Sequence, residues 1–203
     1  MGPKRTPEET AELRESLIEH GLRLVHREGA AALTMRALAA EARCSVGLPY
    51  KVFENREAVV RALVHEEFRR LMAALERWIA EAGESAVGKN LGRYARLVLG
   101  SPAVALATDL GHEPSLAHTV EETATETGVV PALEDAVRRY LEAEKRFDRL
   151  APEVDEGAYA FLIAGAVHNL LMSGEAYPKP EMERIEQLLQ LAARPLVRRS
   201  PRG

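Results

Sequence analysis

Four residues able to ligate a metal, Asp109, His112, Glu113 and His118, fall within ten positions of one another. Carboxylates and imidazoles gathered that closely are the donor types of zinc and related ions. Pro114, however, breaks any helical face they could share, and no further residues stand ready to orient them. Polar loop residues explain the group better, and no metal or other cofactor is assigned. His168 and Asn169 are a second candidate, because they interrupt an otherwise apolar run, AYAFLIAGAVHNLLM. Polar groups buried there need partners, which either a structural hydrogen bond or a bound ligand could supply. Leu75, Trp78, Tyr94, Tyr140 and Met172, with His168 and Asn169, are the residues that could line a small-molecule pocket between helices; ordinary core packing is the competing reading. Hydrolase, phosphate-loop, dinucleotide and metalloprotease motifs are all missing from the sequence, so no enzyme is expected. The single cysteine, Cys44, excludes an internal disulfide and suits a reducing compartment.

The elements that would carry function begin at Thr34. From Thr34 to Phe53 the chain reads TMRALAAEARCSVGLPYKVF. Thr34 is placed to cap a helix with Met35, Leu38, Ala39 and Ala42 on one face. Arg43 and Cys44 interrupt it. Ser45 then reads as the cap of a second helix through Val46, Gly47, Leu48, Pro49, Tyr50 and Lys51, with Pro49 tolerated in its first turn. Two short helices joined by a tight turn are the helix-turn-helix unit, whose second helix enters the DNA major groove. A plain turn, with Gly47 and Pro49 as breakers, is the alternative.

The flanks add a longer signature. A helix from Thr10 to Glu28 closes at Gly29; then come Thr34-Met35-Arg36-x-Leu38-Ala39, Ala42-x-x-Ser45-x-Gly47, Tyr50-x-x-Phe53 and Asn55-Arg56-Glu57. Over roughly residues 10–62 this order resembles the TetR family of bacterial transcriptional regulators; the motifs do not extend into the remaining two-thirds. The resemblance implies that Thr34, Ser45, Tyr50 and Arg56 contact DNA phosphates, that Val46, Gly47 and Leu48 approach base edges, and that Lys51 meets base or phosphate. Hydroxyls and cations suit backbone contacts, and apolar groups can read a thymine methyl. Val46 and Leu48 depart from the polar residues frequent in the family, which shifts sequence preference toward Lys51, Arg36, Arg43 and DNA shape.

Charge is permissive rather than diagnostic. The net charge is −4, with 9 Lys+Arg against 8 Asp+Glu in residues 1–56. Lys4 and Arg5 sit on an N-terminal arm that could reach phosphates or the minor groove, or touch nothing. The N-terminus lacks a signal peptide, and the longest apolar run, Ala158 to Val167, is too short to span a bilayer. A cytoplasmic protein with no membrane partner is expected.

The rest reads as helices only, giving an all-α chain. Residues 1–56 form the helix-turn-helix DNA-binding head, and residues 57–203 a helical effector-binding and dimerisation domain. A helix capped by Asn55 and reaching about Ala82 would be roughly 40 Å long at ~1.5 Å per residue, a rigid link from head to body. The two C-terminal helices, with small or apolar residues Ala160, Ala164, Leu188 and Ala192, are the expected homodimer interface, which the resemblance also implies. The chain is therefore expected to bind double-stranded operator DNA as a dimer, to act as a repressor, and to be released from DNA by a small-molecule effector whose identity the sequence does not give. A helical adaptor with a vestigial head is the alternative, for which Val46 and Leu48 speak.

Overall fold

A computed structural model describes residues 6–173 and 177–198. Among them the chain is all helical; its only extended pairing is an isolated antiparallel bridge between Leu150 and Val197. The expected Lys4–Arg5 arm lies outside the described residues. Two compact units emerge, residues 1–69 with 105–127 and residues 70–104 with 128–203.

In the first unit, α1 (Pro7–Glu28) starts earlier than the apolar stripe suggests. Thr6 accepts from the Glu9 amide at 3.2 Å, and the Glu9 carboxylate accepts from the Thr6 amide at 2.8 Å. This reciprocal box, followed by Pro7, fixes the first turn. Gly29, at φ +83°, ends the helix in a conformation that few residues other than glycine adopt. A single 3₁₀ turn, Ala30–Ala32, leads to α2 (Met35–Glu41), and α3 (Pro49–Val52) follows. α4 spans Arg56–Ala80, and α6 (Pro102–Gly111) and α7 (Pro114–Thr127) supply the unit's later residues. Leu17, Leu22, Leu38, Val60 and Leu63 are among its fully buried side chains.

The second unit is built from the end of α4 with α5 (Val87–Leu99), α8 (Val129–Arg146), α9 (Glu156–Met172) and α10 (Met182–Ala193). α5 packs on α10, and α8 on α9. Gly88 and Gly92, one turn apart on α5, permit that first contact. A Cβ at Gly88 would come within 2.9 Å of the Gln190 backbone, and one at Gly92 within 3.2 Å of Glu186. α9 is apolar on every side, yet only one face is covered within the chain. Ala160, Ile163, Ala164 and Val167 point inward, while Phe161, Leu162, Gly165, Ala166 and Met172 are exposed.

Candidate nucleic-acid interface

The helix-turn-helix begins as expected. Thr34 caps α2, accepting from the Ala37 amide at 3.0 Å. Met35, Leu38 and Ala39 are the buried face. The turn then closes on Arg43, whose φ of +51° is left-handed, and the Cys44 amide donates back to the Ala39 carbonyl at 2.9 Å. Cys44 is half-buried.

The second helix differs from the sequence expectation. It starts at Pro49 rather than Val46, and its N-cap is Leu48, with no side-chain cap from Ser45. The cause is the proline. In an α-helix capped at Ser45, the bond to the Ser45 carbonyl must come from the amide of residue 49, and proline has none. The Leu48 amide takes that carbonyl instead, at 2.9 Å, and Lys51 repeats the shorter spacing onto Leu48 at 3.0 Å. Val46, Gly47 and Leu48 therefore form a tight turn. Phe53, buried under the Arg14 guanidinium at 5.5 Å, anchors the far end of α3 to α1.

Most of the DNA-contact residues expected from sequence are presented to solvent on this unit. Thr34, Arg36, Arg43, Ser45, Gly47 and Lys51 are exposed, as are Val46 (46%) and Tyr50 (57%). Leu48 is half-buried. Exposure of an apolar valine and a tyrosine ring among cations and hydroxyls suits a surface that meets phosphate oxygens and base edges. Arg27 braces the back of the unit, reaching Glu41 of α2 at 2.7 Å, and its guanidinium holds that carboxyl below the usual carboxylate range.

Arg56 stands apart. Its guanidinium faces inward, donating to the Leu33 carbonyl at 2.6 Å, the Ala30 carbonyl at 3.3 Å and both oxygens of Glu113 at 2.7 and 2.9 Å. Sequence spacing did not bring Glu113 and Arg56 together, because they are 57 positions apart. The cluster containing Asp109, His112, Glu113 and His118 is likewise dispersed: Glu113 serves Arg56, and His118 lies 2.9 Å from Glu122. Among the described residues no three His, Cys, Asp or Glu side chains converge on a metal position.

Known proteins share features with this geometry. Residues 17–63 match the profile of the bacterial regulatory proteins, tetR family. Over that stretch the head is similar to the N-terminal domain of the tetR family. Solved structures extend the likeness in fold along nearly the whole chain. A candidate TetR-family transcriptional regulator from Mesorhizobium loti superposes with a TM-score of 0.66 at 14% identity, covering 93% of this chain and 95% of that one. A TetR-family transcriptional regulator from Pectobacterium atrosepticum gives 0.62 at 19% identity, covering 93% of each. A candidate transcriptional regulator from Saccharomonospora viridis, solved in complex with choline, gives 0.62 at 16% identity, covering 93% of this chain and all of that one. No curated protein matches the chain in sequence. The chain thus shares the fold of these structures, and no helix among the described residues is long and apolar enough to cross a membrane.

The residues expected to line an effector pocket fall in different settings. Leu75, Trp78, Tyr94 and Tyr140 are core of the second unit, with Trp78 ring centroids 5.2 Å from Tyr94 and 4.4 Å from Tyr140. Their polar ends are satisfied internally: Trp78 donates to the Asn90 carbonyl at 3.0 Å, Tyr94 to that of Leu133 at 3.1 Å and Tyr140 to Glu144 at 2.5 Å. Burial pushes both tyrosine hydroxyls upward. His168 is half-buried, and Asn169 and Met172 are exposed, because that side of α9 faces outward. Asn169 does line an apolar cavity of about 230 Å³, with Leu170, Tyr177, Pro178, Ile185 and Leu188. Of the residues expected at a subunit interface, Ala160 and Ala164 lie in the chain's own core, whereas Leu188 and Ala192 are exposed.

Proposed function

We propose that this chain is a TetR-family transcriptional repressor that binds operator DNA as a two-fold dimer and leaves it when a small molecule binds. The observation that carries the reading is the run of exposed hydroxyls and cations on the helix-turn-helix: Thr34, Arg36, Arg43, Ser45, Tyr50 and Lys51. The first unit's residues 1–56 act as the reading head and residues 57–203 as the sensing and pairing part, in the cytoplasm. Pairing uses the apolar face that α9 and α10 leave exposed, through Phe161, Leu162, Leu188 and Leu191. A second copy of that face is self-complementary under a two-fold axis. That a neighbour of this fold was solved with choline supports room for a small ligand in the fold, not its identity here.

The test is a gel shift with duplexes of about 30 base pairs from upstream of the protein's own gene, run at several salt concentrations. Affinity for one fragment well above random DNA, with a slope that Lys51→Ala lowers by about one, is the expected result. Equal binding to every fragment would favour the adaptor reading, for which the exposed apolar Val46 speaks.

A further inference from the structure

A reading head needs its helix pair held at a fixed angle, and one arginine bonds to the turn that leads into that pair. Arg56 opens α4, and its guanidinium reaches three acceptor groups in two other segments. Two of its acceptors are the carbonyls of Ala30 and Leu33, in the turn that leads directly to the Thr34 cap of α2. The third is the Glu113 carboxylate, between α6 and α7, gripped through both oxygens. These contacts use four of the five N–H groups that a guanidinium carries. A phosphate arriving from DNA would find one N–H free and a carboxylate already beside it. The same side of α4 is fastened to α7 further along. Thr119 donates to Glu57 at 3.1 Å, and Arg61 meets Glu122 at 2.8 Å.

We propose that Arg56 is a positioning residue rather than a phosphate ligand: clasped by Glu113, it fixes the start of α2 and so the angle at which the helix-turn-helix is presented. The clasp makes the α6–α7 junction a control point, since any displacement of Glu113 changes the grip on the Leu33 and Ala30 carbonyls. Lysine could not replace it, because a single ammonium cannot hold a carboxylate in a bidentate pair and two carbonyls together. The consequence for DNA rests on the regulator reading above; the clasp itself rests on geometry alone.

The experiment uses the full-length protein and the variants Glu113→Gln, Arg56→Gln and the double variant. Hydrogen exchange without DNA is the first arm. The amides of Leu38, Ala42 and Cys44, bonded within the helix-turn-helix, should exchange roughly fivefold faster in each single variant. The double variant should be no worse than either single one, the signature of one shared interaction. Unchanged exchange in Glu113→Gln overturns the clasp, and that variant alone suffices if Arg56→Gln fails to fold. The second arm is the salt dependence of binding to a random 30-base-pair duplex. A positioning role leaves the slope unchanged while both single variants weaken binding alike. A phosphate role lowers the slope by about 0.9 in Arg56→Gln and makes Glu113→Gln bind more tightly, and that pair of results also overturns the proposal. Wild-type protein that binds no duplex at all would sink the regulator reading, while the exchange arm would still decide the clasp.

Discussion

The Tyr140 hydroxyl donates to the Glu144 carboxylate at 2.5 Å, one turn along α8, and that carboxylate is fully buried. The Gly83 amide donates to the same oxygen at 3.2 Å, and Arg149 brings its guanidinium to 3.1 Å from the other. A buried carboxylate is tolerable only with such partners. Arg149→Ala strands the charge and is expected to cost about 3 kcal/mol or more. Tyr140→Phe removes one charge-assisted hydrogen bond and should cost about 1.5–3 kcal/mol. Urea unfolding of the two variants checks the order; equal midpoints would show that Arg149 contributes nothing beyond the tyrosine.

Pro49→Ala should lengthen α3. The substitution restores the amide that the Ser45 carbonyl lacks, so the 3₁₀-type bond from Leu48 can give way to an α-helical one. Backbone chemical shifts of residues 46–49 should move toward helical values. Gly47 opposes the change by about 1 kcal/mol, so a partial shift is the expected size. Shifts that stay at turn values would mean that glycine, not proline, sets the start of the helix.

That proline also marks where the sequence was legible and where it was not. Helix existence followed from apolar spacing and caps: Thr34 and Asn55, expected as caps, each accept from the amide three residues on. The start of α3 was missed because a proline tolerated in a first turn was placed where the first hydrogen bond needs its donor. Side-chain direction on α9 was illegible for another reason. A helix apolar all round carries no amphipathic signal, so nothing in the pattern tells Ala164, inward, from Leu162, outward. Long-range ion pairs such as Arg56 with Glu113 leave no trace in local spacing. The aromatic residues were legible as apolar bulk, but core and pocket wall have the same composition.

Acid should loosen the first unit from the α7 side. Hydrogen bonding to Arg56 holds Glu113 below the usual carboxylate range, and Arg61, with help from His118, does the same for Glu122; burial opposes both shifts. A carboxyl group whose folded pKa is depressed stabilises the fold fully above its unfolded value of about 4.3, and the contribution fades as pH falls through the folded value. The arginines do not titrate in this window. Stability measured by denaturant from pH 7 to 3 should therefore fall below about pH 4, and Glu113→Gln with Glu122→Gln should flatten that limb. Both carboxylates are partly exposed, so solvent screening keeps the effect small. An unchanged acid limb in the double variant would assign acid sensitivity to other carboxylates.

The two faces of α9 should respond in opposite ways to the same charge. Leu162 is 62% exposed and Ala164 5%, although they are only two residues apart. Arginine at 162 reaches solvent in the single chain, so the fold and its helical content should survive. If α9 and α10 pair two copies through their exposed apolar faces, that arginine must be buried on association without a partner, a cost that breaking a buried pair sets at about 3–5 kcal/mol. Leu162→Arg should then be folded and monomeric at micromolar concentration. Ala164→Arg instead drives a charge into the buried side of α9 and should abolish the fold, whatever the state of association. Circular dichroism together with light scattering separates the outcomes. Leu162→Arg that stays dimeric would move the interface off this face, and Ala164→Arg that folds normally would show that the inward side of α9 is not core.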